Sequence, residues 1–287
     1  MQLLVILPAL FAGALLGCAG AGTDGTQRPA LHGSATTNQT ARKLVAAKAR
    51  LMSADYRADL VELARVRDEI APLRDDPRFG YLANYWTGYA SWRWAINSVS
   101  KGIAIDATRA HLADAIADFE TSLSLREDFA DSLAAAASTH SWMGTLLIAD
   151  HDLAAAHFTR ANLLMPRAFA LAPDNPRVLW VQGGFYLFKP KAYGGDPARA
   201  EEIYLRQVQT APPLDDASPY PDWGKAEGWM SLAYAHLNRT PPALHAAAEE
   251  ARAALALRPD WSYVRDVLGP QIEARIAQAQ HPDPSLN

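Results

Sequence analysis

The one thiol in the chain is its most reactive side chain. Cys18 is the only cysteine among 287 residues, so it cannot close an internal disulfide, and in an oxidising compartment an unmodified thiol would be a liability. The other candidate nucleophiles, acids and ligands lack partners at useful spacing. Ser, His and Asp are scattered, but no Gly-x-Ser-x-Gly sets a serine on a strand-to-helix turn. The eight histidines include no His-Glu-x-x-His, and His151 and His157, six residues apart, fall on different faces of a helix. Gly194-Gly195-Asp196 has glycines suited to a phosphate loop, yet no Gly-Lys-Ser/Thr follows and no strand precedes it; a tight turn into an Asp N-cap explains all three. Asp215, Asp216 and Asp222 stand in a proline-rich stretch, where carboxylates are ordinarily solvated. The chain is therefore expected to have no catalytic residues, no metal and no cofactor, and to work by contact.

Contact-making side chains are plentiful. Tyr81, Tyr85, Trp86, Tyr89, Trp92 and Trp94 recur at helical spacing, which core packing explains more simply than a ligand-stacking platform. Trp94, eight residues after Trp86, is the member expected to be most exposed. Net charge is −4 with acids and bases interspersed, and no Lys/Arg-rich block appears, so nucleic acid is excluded as a partner class.

The elements around Cys18 give the thiol a role. Leu3 to Gly17 (LLVILPALFAGALLG) is uncharged and apolar, the size of a signal-peptide core and short of the ~20 residues that span a bilayer. Leu15-Leu16-Gly17-Cys18 resembles the lipobox of bacterial lipoproteins, although only Gln2 separates Met1 from the apolar run and the usual basic residue is missing. The resemblance implies that residues 1–17 are an export signal and that Cys18 becomes the lipidated first residue of the mature chain. Ala19, in place of Asp, then favours the periplasmic face of the outer membrane. An ordinary cleaved signal with an incidental cysteine is the alternative. Residues 18–40 are small, polar and aperiodic, as in a flexible tether, which would hold the folded part roughly 25 Å from the bilayer.

From Ala41 to Ala279 alanine is abundant and alternating β-branched runs are scarce, which predicts an all-α chain. Trp229, Leu232, Ala233 and His236 share one helix face. Ala247, Ala251, Ala254, Leu255, Leu257 and Pro259 mark a second helix after Thr240-Pro241-Pro242. The same second-helix offsets recur at Ala115, Phe119, Ser122, Leu123 and Leu125; at Ala161, Met165, Ala168, Phe169, Leu171 and Pro173; and at Ala200, Tyr204, Gln207, Val208 and Pro212. The four first alanines are spaced 46, 39 and 47 residues apart. These patterns resemble tetratricopeptide (TPR) repeats, with His236 where Tyr is usual and Ala251 where a ring is usual. The usual period is about 34 residues, so insertions are expected at Lys101-Gly102, at Lys191 to Gly195 and across Ala211 to Pro221.

The resemblance implies helical hairpins stacked into a right-handed superhelix, an α-solenoid. Residues 41–75 form N-terminal helices, 76–259 four TPR-like repeats, and 260–287 a capping helix and tail. Asp76-Pro77, Asn175-Pro176, Asp196-Pro197 and Thr240-Pro241 each offer an N-cap followed by proline at the first helical position.

By the same resemblance the groove-facing positions are Arg177, Trp180 and Gly184 in the third repeat and Glu227, Met230 and Tyr234 in the fourth, with Trp94 on the corresponding face earlier in the chain. Helix phase predicts that Arg177, Trp180, Glu227, Met230 and Tyr234 are more exposed than Leu179, Gly183, Trp229, Leu232 and Ala233. The implied function is that of a membrane-anchored interaction scaffold of the bacterial cell envelope, holding a peptide or protein partner in its concave groove. The second reading is a periplasmic small-molecule-binding accessory lipoprotein of a transport system, with Trp86, Trp94, Trp180 and Tyr234 lining a roofed pocket.

Overall fold

The structure, a computed structural model, describes residues 35–280. The expected export signal, Cys18, most of the tether and the last seven residues lie outside them. The described residues are all-α, with eleven α-helices and no strand. They are α1 (Ala35–Tyr56), α2 (Leu60–Ile70), α3 (Gly80–Ser100), α4 (Ile105–Leu125), α5 (Ala130–Leu146), α6 (His151–Leu171), α7 (Pro176–Phe188), α8 (Pro197–Thr210), α9 (Lys225–Asn238), α10 (Leu244–Leu257) and α11 (Gly269–Gln280). Helix α1 starts inside the segment expected to be tether. Thr40, near its start, is buried and hydrogen-bonds to Asp76, a tertiary contact that composition does not announce.

The helices belong to two compact units. The first contains the described residues up to Asp55, Asp59–Pro173 and Leu214–Pro221. Within it each helix from α2 to α6 packs on the next in sequence. Two hairpins are closed by one device, a glycine on the first helix under a ring from the second. A Cβ at Gly88 would stand 2.8 Å from the Phe119 ring, and one at Gly144 2.7 Å from Phe158. Only a missing side chain lets the helix backbones come that close. In the second of these hairpins the ring is Phe158, seven residues before Met165, although Met165 is also buried.

Helix α3 carries the aromatic run, and Tyr85, Trp86, Tyr89 and Trp92 are fully buried. The proline-rich insertion is part of this core. Trp86 Nε1 donates to Pro219 O at 2.8 Å, the Tyr81 and Tyr220 hydroxyls meet at 3.0 Å, and Lys48 Nζ donates to Asp215 O at 2.8 Å. Asp55 accepts from Tyr89 Oη at 2.9 Å, Arg93 Nε at 2.8 Å and Asn97 Nδ2 at 2.9 Å, so its buried charge is compensated.

The second unit contains Tyr56–Ala58, Asp174–Pro213 and the described residues from Asp222 onward. Helices α7 to α11 pack consecutively, and α7 also touches α9. The glycine-under-ring device recurs most tightly here: a Cβ at Gly183 would stand 2.4 Å from Tyr204. Ala200, Tyr204, Val208 and Leu232 form the core, with Trp180, Tyr186, Leu187 and Trp229 packed against it. His236 ties three helices: Nδ1 lies 2.8 Å from Glu250 and Nε2 3.4 Å from Glu201.

Two of the four Asx/Thr-Pro signals start helices as expected. Asn175 accepts from Arg177 N and Asp196 from Arg199 N, each with proline at the first helical position. The other two do not. Asp76 caps a turn through Arg78 N and Phe79 N, and α3 begins only at Gly80. Thr240-Pro241 lies in the connection ahead of α10, which starts at Leu244. Asp59 and Asp150 cap α2 and α6 without a following proline.

Candidate functional site

The second unit presents one face on which aromatic side chains are held in place but left partly open. Trp180, on α7, donates its indole N–H to Ser231 Oγ on α9 at 3.1 Å. Ser231 also hydrogen-bonds to the buried hydroxyl of Tyr204, so a polar chain runs from the half-exposed indole to the core. Edge contact with Trp223, at 5.6 Å and 83°, fixes the other side of the Trp180 ring. One turn further along α7, Gly184 leaves room: the nearest atoms to a Cβ there would be Tyr204 Oη at 3.9 Å and Phe188 Cδ2 at 4.0 Å.

Phe188, at the end of α7, is 42 % exposed and meets Tyr234 of α9 at 5.7 Å between ring centroids. Tyr234 is half-buried and its hydroxyl is pushed up by that burial. Burial and the neighbouring Tyr234 raise Tyr263 to about 12. Met230 is also half-buried on α9. Trp180, Met230 and Tyr234 are thus more open than the buried Leu179, Gly183, Leu232 and Ala233, as their helix phase predicts. Trp229, expected in the seam, is half-buried. Phe188 was missed because it lies past the repeat positions, although it stands four residues after Gly184 and so on the same helix face.

Arg177 and Glu227 are not on this open surface. Arg177 is 9 % exposed and Glu227 2 %, against the helix phase, because each lies in the first turn of its helix, beside chain that packs over it. Arg177 Nη1 donates to Trp223 O at 3.3 Å. Glu227 accepts from Gly224 N at 2.8 Å and from the Tyr56 hydroxyl at 2.5 Å. A carboxylate is well placed there, where helix N–H groups lack intrahelical acceptors. These two residues secure the starts of α7 and α9.

Trp94 belongs to the first unit. It is the least buried ring of the α3 run and stacks on His111 at 3.7 Å and 23°. Burial lowers the affinity of His111 for a proton. Trp86, the other ring of the roofed-pocket reading in this unit, is sealed in the core. The same unit has a cleft of about 610 Å³ lined by Arg74, Asp76, Tyr81, Asn84, Asp118 and Thr121 among others. Its buried carboxylate, Asp118, is paired with Arg74 at 2.9 Å.

Among the described residues no three or more His, Cys, Asp or Glu side chains are grouped to hold a metal ion, and no helix is long and apolar enough to cross a membrane. No protein-family model, curated protein or solved structure matches the chain.

Proposed function

We propose that the chain is a TPR-type interaction scaffold, lipidated at Cys18 and tethered in the bacterial cell envelope, that binds a peptide or protein segment along the face formed by α7 and α9. The observation that carries this reading is the braced aromatic set. Trp180 is oriented by Ser231 and Trp223, and Tyr234 lies against Phe188. Rings held in advance lose little conformational freedom on binding, and partly buried Trp, Tyr and Met are the residue types that dominate contact surfaces. Gly184 opens space between the rings for a side chain of the partner. Stacked hairpins read as repeats supply such a face along a groove. The reading assigns the protein no catalytic step.

A second reading, binding of a small solute, would use the cleft of about 610 Å³ at the start of α3, which contains none of Trp86, Trp94, Trp180 and Tyr234. Native mass spectrometry of protein purified from the host separates the two. A retained small molecule, lost on Asn84→Leu, supports the solute reading. A macromolecular adduct lost on Tyr234→Arg supports the scaffold.

A further inference from the structure

One hydrogen bond between helices of the first unit runs from imidazole to imidazole. His140 Nδ1 on α5 and His157 Nδ1 on α6 stand 2.9 Å apart. His140 is buried and His157 half-buried. The pair lies behind the Gly144–Phe158 contact, about two helical turns back from the end of the hairpin. Glu120 of α4 faces the far nitrogen of His140, Oε1 to Nε2 at 3.5 Å. Arg160 of α6, one turn after His157, grips the same carboxylate through Nε at 2.8 Å and Nη2 at 2.6 Å. Helix α3 also packs on α5, but its one charged side chain, Arg93, is taken up by Asp55.

The chemistry of that bond limits the charge it tolerates. It needs one nitrogen that bears a proton and one that offers a lone pair; two neutral rings meet that need, and so does a pair with one imidazolium. Two imidazolium rings do not. Each Nδ1 then carries a proton, neither accepts, and like charges face one another across 2.9 Å. We propose that His140 and His157 form an acid-sensitive latch, which joins α5 to α6 while at most one ring is charged and opens the end of the hairpin when both are. Burial, with His140 beside it, pushes the His157 ring down, so the closed latch resists the second proton. The opened ring takes it at about the ordinary imidazole value, 6.5. The latch therefore contributes stability above that value and loses it as pH falls below. Glu120, facing His140 and gripped by Arg160, is held down to about 2 and keeps its charge throughout this window.

The test is amide hydrogen exchange of full-length protein in detergent at about pH 7 and about pH 5, corrected for intrinsic exchange and read by mass spectrometry. Wild-type protection of the segment from Ser141 to Ala156 is expected to fall about tenfold in acid, the effect of one proton taken up on opening. The α7–α8 hairpin, which has no histidine, should keep its protection and serves as the internal reference. A glutamine amide can donate or accept but does not titrate, so His157→Gln and His140→Gln should each hold the segment's protection level between the two pH values. Wild-type protection that does not change relative to α7–α8, or a fall of equal size in whichever glutamine variant folds, overturns the proposal.

Discussion

Tyr56 and Glu227 lie 171 residues apart in sequence, yet the tyrosine hydroxyl donates to Glu227 Oε1 at 2.5 Å in a buried setting. The Arg258 guanidinium sits 5.0 Å above the Tyr56 ring, Trp261 packs edge-on at 5.0 Å, and Ser262 Oγ donates to Tyr56 O at 3.1 Å. Through Glu227 the cluster reaches the first turn of α9, and therefore the helix that carries Met230 and Tyr234.

Tyr56→Phe removes one donor from a buried carboxylate and should destabilise the protein by about 1–3 kcal/mol. Burial, reinforced by the Glu227 charge, raises the Tyr56 hydroxyl well above its ordinary value. A group raised on folding stabilises fully below its unfolded value, about 10, and loses that contribution as pH climbs through the folded one. Urea unfolding at neutral pH and at about pH 11 should therefore show the gap between wild type and Tyr56→Phe shrinking in alkali.

Gly183→Ala should cost about 1–3 kcal/mol, because the new Cβ overpacks against Tyr204 at 2.4 Å. Gly184→Ala, with nothing nearer than 3.9 Å, should be neutral or stabilising by up to about 1 kcal/mol, since alanine restricts the unfolded chain and favours helix. Thermal melts of the two neighbours check the pair. Equal melting temperatures would mean that α7 and α8 do not approach as closely as the structure has them.

Trp229→Ala should destabilise by about 2 kcal/mol, less than the ~3–5 kcal/mol of a fully buried ring, because Trp229 packs against the α8–α9 core while remaining half-open. Chemical denaturation measures the difference.

The all-α character was legible in the sequence, because alanine content favours helix, and the recurring offsets marked Ala115, Phe119, Ala200 and Tyr204, which are buried. Helix phase separated the half-buried Trp180, Met230 and Tyr234 from the buried Leu179, Leu232 and Ala233. Arg177 and Glu227 were not legible in this way. Their helix phase points outward, and only long-range packing by Tyr56 and Trp223 buries them. The contact between His140 and His157 joins two helices at a separation of 17 residues, which no single-helix spacing rule detects. Helix capping was half legible: proline after an Asx residue marks α7 and α8, but the same signal at Asp76 caps only a turn.

Glu120→Gln should destabilise at neutral pH and make no difference in strong acid. The wild-type carboxyl is lowered on folding to about 2, so its contribution is present above the unfolded value, about 4.3, and is lost as pH falls through 2. Acid unfolding followed by circular dichroism should show the two curves converging at the low end.

Cys18→Ser should abolish lipid attachment and leave an uncleaved precursor, since the proposed lipidation precedes cleavage. Palmitate labelling that persists in the variant would refute the lipoprotein proposal.

The central claim is that the face of α7 and α9 holds a macromolecular partner, and a photoreactive residue placed at Met230 in the native host tests it most directly. The account predicts a discrete crosslinked adduct from Met230, lost when Tyr234→Arg is added to a protein that still folds. No such adduct should form from Glu202, which is exposed on α8. No adduct from Met230, or the same adduct from both positions regardless of Tyr234, would contradict it.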